Sequence, residues 1–108
     1  MAELEDERAR ELVIATGDSD GIPVISVAGQ LDISNAAALE QALARAVAAR
    51  PHALIFDLSG LEFMDSAGVS VLVRARAEVG EVRLRSPTPI VRRLIEITGL
   101  SGILPIEP

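Results

Sequence analysis

Cysteine, lysine, tryptophan and tyrosine are all missing from this chain, and each gap removes a kind of chemistry. Without cysteine there is no disulfide, no thiol nucleophile and no thiolate metal site, which fits a reducing compartment. Without lysine there is no Schiff-base nucleophile and no phosphate-loop lysine, so the chain is not expected to run phosphoryl transfer by itself. Phe56 and Phe63 are the only aromatic hydrophobes, so the core must be aliphatic and stacking of nucleic-acid bases has no platform. The sole histidine, His52, has no second ligand or base partner in view and reads as a surface or structural residue. No apolar run is long enough to cross a bilayer, so membrane insertion is not expected. The start, Met1-Ala2-Glu3-Leu4-Glu5-Asp6-Glu7-Arg8, is too acidic for a signal or transit peptide. A soluble, cytoplasmic protein is predicted.

Positive charge is scarce too: 10 basic residues, all arginine, stand against 16 acidic ones for a formal charge of −6. The arginines are spread over several segments, with only Arg92 and Arg93 adjacent. Phosphate backbones need a clustered basic face, so no direct nucleic-acid contact is expected.

What is present is a half-apolar chain of 108 residues, one domain able to bury roughly 65% of its unfolded surface. An acidic N-terminal extension over 1–10 precedes a folded domain over 11–108. Residues 11–15 and 22–28 read as two strands of a hairpin, separated by the turn-rich stretch 16–21; Asp18 and Asp20 there are too few for a calcium loop. Ser34 or Asn35 caps a helix reaching about Arg50, stopped by Pro51, with Leu39, Leu43, Ala46 and Val47 on its apolar stripe. A third strand covers 53–58. A helix over 67–79 follows, with Val69, Leu72, Val73 and Val79 as its core stripe and Gly80 past its end. Val71 lies on that helix's flank, as partner surface or as lightly covered core. Residues 82–85 alternate like a strand near an edge. Thr88-Pro89 opens a last helix to about Thr98, with Ile90, Leu94 and Ile97 on one face and Gly99 beyond. Residues 103–106 tuck back onto the body. The order β-β-α-β-α-β-α predicts an α/β fold: a small mixed β-sheet, parallel through right-handed crossovers, with an antiparallel hairpin strand at one side and packed helices.

Few side chains suit catalysis. Asp57, Glu62 and Asp65 are close in sequence, but carboxylate hydrolysis needs a cleft larger than this chain can build, and Asp57 reads as a strand end. The chain is not expected to be an enzyme, and no metal or cofactor is expected. There remain two loops, 30–35 and 64–68, at the carboxyl ends of strands, the edge where parallel sheets bind ligands and partners. Both lead into helix N-termini, both carry an aspartate, and both are expected to expose an apolar residue, Ile33 or Met64, beside polar ones. That mixture describes a protein-docking rim. Ser66 falls at or beside a helix N-cap, where its hydroxyl can accept a free backbone N–H and where a phosphate would meet the positive end of the helix dipole.

Taken in order, Gly29-Gln30-Leu31-Asp32, Asn35-Ala36-Ala37-Ala38-Leu39 and the whole stretch Leu54 to Gly68 resemble the STAS domain of the anti-sigma factor antagonist (anti-anti-sigma factor) family. The likeness continues through Arg83-Leu84-Arg85 and from Pro89 to Leu100. The resemblance implies a phosphoprotein that regulates transcription by partner switching. Unphosphorylated, it binds an anti-sigma factor with serine kinase activity and frees the sigma factor; phosphorylated, it is released, and a serine phosphatase resets it. Ser66 matches the phosphoacceptor that follows the loop aspartate, and Asp32 the acidic position of the preceding loop. Gln30 replaces a frequent glutamate, and Ala67 a frequent second hydroxyl, which leaves Ser66 as the sole candidate in its loop. The expected partner-binding set is Asp32, Ile33, Ser34, Asn35, Met64, Asp65, Ser66, Ala67, Gly68 and Val71, on a protein that is a monomer when free. Alternative readings of the resemblance are a non-enzymatic STAS subunit of a membrane lipid-transport ATPase complex, with Ser66 only a cap, or a stress-signalling scaffold.

Overall fold

Asp20 and Gly21 both hold positive φ, 51° and 86°, which a two-residue hairpin turn needs to follow the twist of its strands. Asp18 Oδ2 accepts the Gly21 N–H at 2.9 Å and closes the turn. Strand β1 (Val13–Ser19) therefore runs straight through Thr16 and Gly17, and pairs antiparallel with β2 (Ile22–Leu31), Ser19 opposite Ile22. The wide turn expected over 16–21 is corrected to Asp20-Gly21, because a turn this tight lets both strands extend to its edges. The structure, a computed structural model, describes residues 12–107; the expected acidic extension over 1–10 and the strand start at Glu11 lie outside them.

After β2 come α1 (Ala36–Ala48), β3 (Leu54–Met64), α2 (Ser66–Val79), β4 (Val82–Arg85), α3 (Pro89–Ile97) and a single 3₁₀ turn, Leu100–Gly102. The sheet order is β1-β2-β3-β4, with β2, β3 and β4 parallel. Each parallel strand is laid one place further along in the same direction, so crossovers of a single hand set α1 and α2 on the same face. There Leu39 and Leu43 of α1, Leu72 and Ala75 of α2, and Val91 and Ile95 of α3 close on Ile25, Leu54, Phe56 and Leu84 in one aliphatic core. This is the mixed sheet with packed helices that the element order predicts.

β3 departs most from expectation, continuing six residues past Leu58. The register from Val24–Ile55 to Leu31–Met64 spans seven steps of β2 but nine of β3, with shifts after Ser26 and after Gly29. Two residues of β3 are thus extra, and each bulge turns the following side chain back toward the core. Buried residues change from a spacing of two (Leu54, Phe56, Leu58) to a spacing of three (Leu61, Met64). Asp57 is not a strand end: it sits inside β3, where its Oδ1 accepts the Ser59 N–H at 3.0 Å.

α2 is also rotated from expectation, whereas α1 buries Leu39 and Leu43 as expected. On α2 the fully buried positions are Gly68, Val71, Leu72 and Ala75, whereas Val73 is exposed and Val69 and Val79 are half-buried. On α3, Ile90, Leu94 and Ile97 share one face as expected, but the core takes Val91 and Ile95 from the neighbouring face, while Ile90 and Ile97 face outward. Thr88 does precede Pro89 at the helix start, but its hydroxyl donates to the Leu61 carbonyl at 2.8 Å and so ties α3 to β3 rather than capping the helix. The tail does tuck back. Leu104 is buried, the Leu84 N–H donates to the Pro105 carbonyl and the Glu107 N–H to the Leu84 carbonyl, both at 2.8 Å. Arg85 Nε donates to Glu107 at 2.8 Å beside Asp57, and these carboxylates hold its guanidinium still more firmly in the charged form.

Candidate functional site

β2 and β3 are adjacent and parallel, so the loops that follow them emerge side by side. Leu31 is paired with Met64 at the strand ends, and the Asp65 N–H donates to the Leu31 carbonyl at 3.1 Å, stitching one loop to the other. Both loops lead into helices on the same face of the sheet, α1 and α2.

The first loop is held from within. Asn35 Nδ2 donates to the Gln30 carbonyl at 2.8 Å and Asn35 Oδ1 accepts the Asp32 N–H at 2.9 Å. Asp32 Oδ1 accepts both the backbone N–H and the hydroxyl of Ser34. Braced by these bonds, the turn thrusts Ile33 outward, 83% exposed. Asn35 occupies the N-cap position of α1 but does not cap with its side chain, which is committed to bracing the loop.

In the second loop Asp65, not Ser66, is the N-cap of α2. Its Oδ1 accepts the Ala67 N–H at 2.9 Å and the Gly68 N–H at 3.4 Å, and Ser66 is the first helical residue, exposed to solvent. The expectation that Ser66 serves as the cap is therefore corrected: a longer side chain one position earlier already satisfies the first free N–H groups. The Ser66 hydroxyl is left available, and the Ser66 carbonyl accepts the Ser70 hydroxyl at 3.0 Å.

Met64 is not the exposed anchor expected of it; at 3% exposure it belongs to the core, because the second bulge of β3 turns it inward. Its neighbour in space is Gly68, where an added Cβ would lie 2.5 Å from Met64 Cγ and 2.7 Å from Leu31 Cδ2. The absent side chain lets the first turn of α2 settle directly on the two strand ends. Val71, at 3% exposure, resolves to core, yet it also floors a shallow groove between α1 and α2. Ala36, Ala37, Ala67 and Ser70 line that groove beside it, Ile33 stands at one end, and Glu40 and Arg74 pair across it at 2.6 Å.

Of the expected set, then, the fold gathers Asp32, Ile33, Ser34, Asn35, Asp65, Ser66 and Ala67 at one rim, and places Met64, Gly68 and Val71 beneath it. The groove walls Ala36, Ala37, Glu40, Ser70 and Arg74 lie outside the expected set. Ser70 and Arg74 follow Ser66 at intervals of four, so they share its side of α2. Nothing in the sequence signals that Glu40 of another helix meets them. Among the described residues no group of histidine and carboxylate side chains could hold a metal ion, and no helix is long and apolar enough to cross a membrane.

The four-stranded mixed sheet with its helices on one face is accompanied by a match of the STAS domain family model to residues 14–108. The chain belongs to that family. Similar to it are the anti-sigma-F factor antagonist RsfB of Mycobacterium tuberculosis, 34% identical over 92 residues, covering 82% of this chain and 75% of RsfB, and the anti-sigma-B factor antagonist of Listeria monocytogenes, 35% identical over 94 residues, covering 83% and 82%. A crystal structure of an anti-sigma factor antagonist from Mycobacterium paratuberculosis matches the fold with a TM-score of 0.85 at 36% identity, covering 92% of this chain and 87% of that one.

Proposed function

We infer that the chain is an anti-sigma factor antagonist whose rim, formed by the loops after β2 and β3, docks on an anti-sigma factor with serine kinase activity. Phosphorylation of Ser66 by that kinase releases it, and a serine phosphatase restores it. The relatives called anti-sigma factor antagonists support the general role. The observation that carries the switch is the placement of Ser66: exposed, free of capping duty, and beside both the Asp65 carboxylate and the apolar groove under Ile33.

A phosphate on Ser66 adds nearly two negative charges beside Asp65. Two of the helix's first N–H groups are already taken by Asp65, so little compensation remains for that charge in a desolvated interface. Moving a partner from almost fully bound to almost fully free takes about 5.5 kcal/mol, and like charges in an interface cost several kcal/mol. The two are commensurate. In the free protein the helix dipole favours the phosphate by about 0.3–1 kcal/mol, so the switch acts on binding and leaves the fold in place.

Incubation with the cognate kinase and ATP, followed by mass spectrometry, tests this: label on Ser66 is expected, with none on Ser66→Ala. A wild-type protein that takes no label, or a Ser66→Ala variant labelled as well as wild type, removes the phosphoacceptor assignment.

A further inference from the structure

α3 is amphipathic over a wider arc than the core uses. Val91 and Ile95 fill the core and Leu94 is half-buried, but Ile90 and Ile97 remain 66% and 70% exposed. Ile90, Leu94 and Ile97 follow one another at intervals of four and three, so they form a single apolar stripe beside the core-facing one. Its outer flank carries Arg93 and Glu96, both exposed, and neither belongs to an ion pair among the described residues. A second copy of this chain has the complementary chemistry. When two helices pack antiparallel about a two-fold axis, the same flank of each meets the other. A flank bearing both an arginine and a glutamate is then complementary to itself.

The geometry points to α3 as a self-association face, with α3 of two copies packed antiparallel so that Ile90 of each lies against Ile97 of the other and Arg93 of each reaches Glu96 of the other. An interface built from one nine-residue helix is small, below the roughly 1,200 Å² of stable complexes, so the dimer is weak and forms only at high protein concentration. The monomer expected from the sequence is the dilute state. This proposal rests on α3 alone and is independent of the phosphorylation reading.

Sedimentation equilibrium of the full chain at increasing concentration tests it. Wild type is expected to move from monomer to dimer, and Ile97→Glu to weaken that association at least about tenfold by placing a charge in the apolar stripe. Arg93→Glu sets two glutamates against two, and Glu96→Arg two arginines against two; each variant alone is expected to stay monomeric, while an equimolar mixture forms the heterodimer. The doubly exchanged Arg93→Glu/Glu96→Arg protein is expected to dimerise like wild type. Circular dichroism on each variant checks that the fold is kept, and the recovery in the mixture cannot come from misfolding. A wild type that remains monomeric throughout overturns the proposal; if that monomer sediments with phosphatidylglycerol vesicles and Ile97→Glu does not, the stripe serves a lipid surface instead. Dimerisation that Ile97→Glu leaves unchanged, or singly substituted proteins that stay apart when mixed, overturns it as well.

Discussion

Asp65 and Ser66 are adjacent polar residues with separate tasks, and substitution should part them cleanly. Asp65→Ala removes the acceptor for the Ala67 and Gly68 N–H groups and is expected to cost about 0.5–2 kcal/mol in urea unfolding. Ser66→Ala changes an exposed first-turn residue and is expected to stay within about 0.5 kcal/mol of wild type. The reverse ranking would return the capping role to Ser66. Gly68 has a different sensitivity. Alanine favours a helix by about 1 kcal/mol over glycine, yet at this position its Cβ would meet Met64 Cγ and Leu31 Cδ2 well inside contact distance. Gly68→Ala is therefore expected to destabilise by about 1–3 kcal/mol, as overpacking does, and the same unfolding measurement reads it.

Among the elements, the C-terminal tail is the addition whose contribution is easiest to isolate. Its bonds to Leu84 cover part of the outer edge of β4, and Leu104 anchors it in the core. Leu104→Ala is expected to cost about 2–5 kcal/mol in chemical denaturation, whereas Glu107→Ala, which breaks a partly exposed ion pair with Arg85, should cost no more than about 1 kcal/mol. The order of elements, the sheet type and the return of the tail were legible in the sequence because apolar periodicity, Pro51, Gly80 and the Thr88-Pro89 pair mark them plainly. The far half of β3 was not. Two bulges convert the buried spacing from two to three, and a spacing of three no longer looks like a strand. Which apolar face of α3 is buried was not legible either: with Ile90, Val91, Leu94, Ile95 and Ile97 all apolar, periodicity permits either face, and only packing decides that Val91 and Ile95 are the buried ones. At the rim, Ile33 and Ser66 could be recognised because each follows an aspartate at a strand end. The burial of Met64 depends on the bulge, and the Glu40–Arg74 pairing on the juxtaposition of two helices.

At the scale of the whole molecule, the rim and the fold should respond independently. Among the described residues Ile33 is the most exposed of the large apolar side chains, 83% exposed, and contributes little to the core. Ile33→Ala is expected to leave the thermal midpoint unchanged and to weaken capture of the anti-sigma factor about tenfold or more, as loss of an interface anchor does, read by calorimetric titration. Stoichiometric phosphorylation of Ser66 is expected to move the midpoint by less than about 5 °C, because helix dipole and Asp65 act on it in opposite directions with effects near 1 kcal/mol, while capture is lost. The two surplus residues of β3 constrain the chain in another way. Ser59, Gly60, Glu62 and Phe63 are exposed although they lie within an internal strand. Here the number of residues between Asp57 and Asp65 sets whether Met64 points into the core and whether Ser66 emerges at the rim, so Ser59, Glu62 and Phe63 can be exchanged while the length of the stretch cannot change, and Gly60, where an added Cβ would lie 2.8 Å from Ala28 Cβ, is held as well.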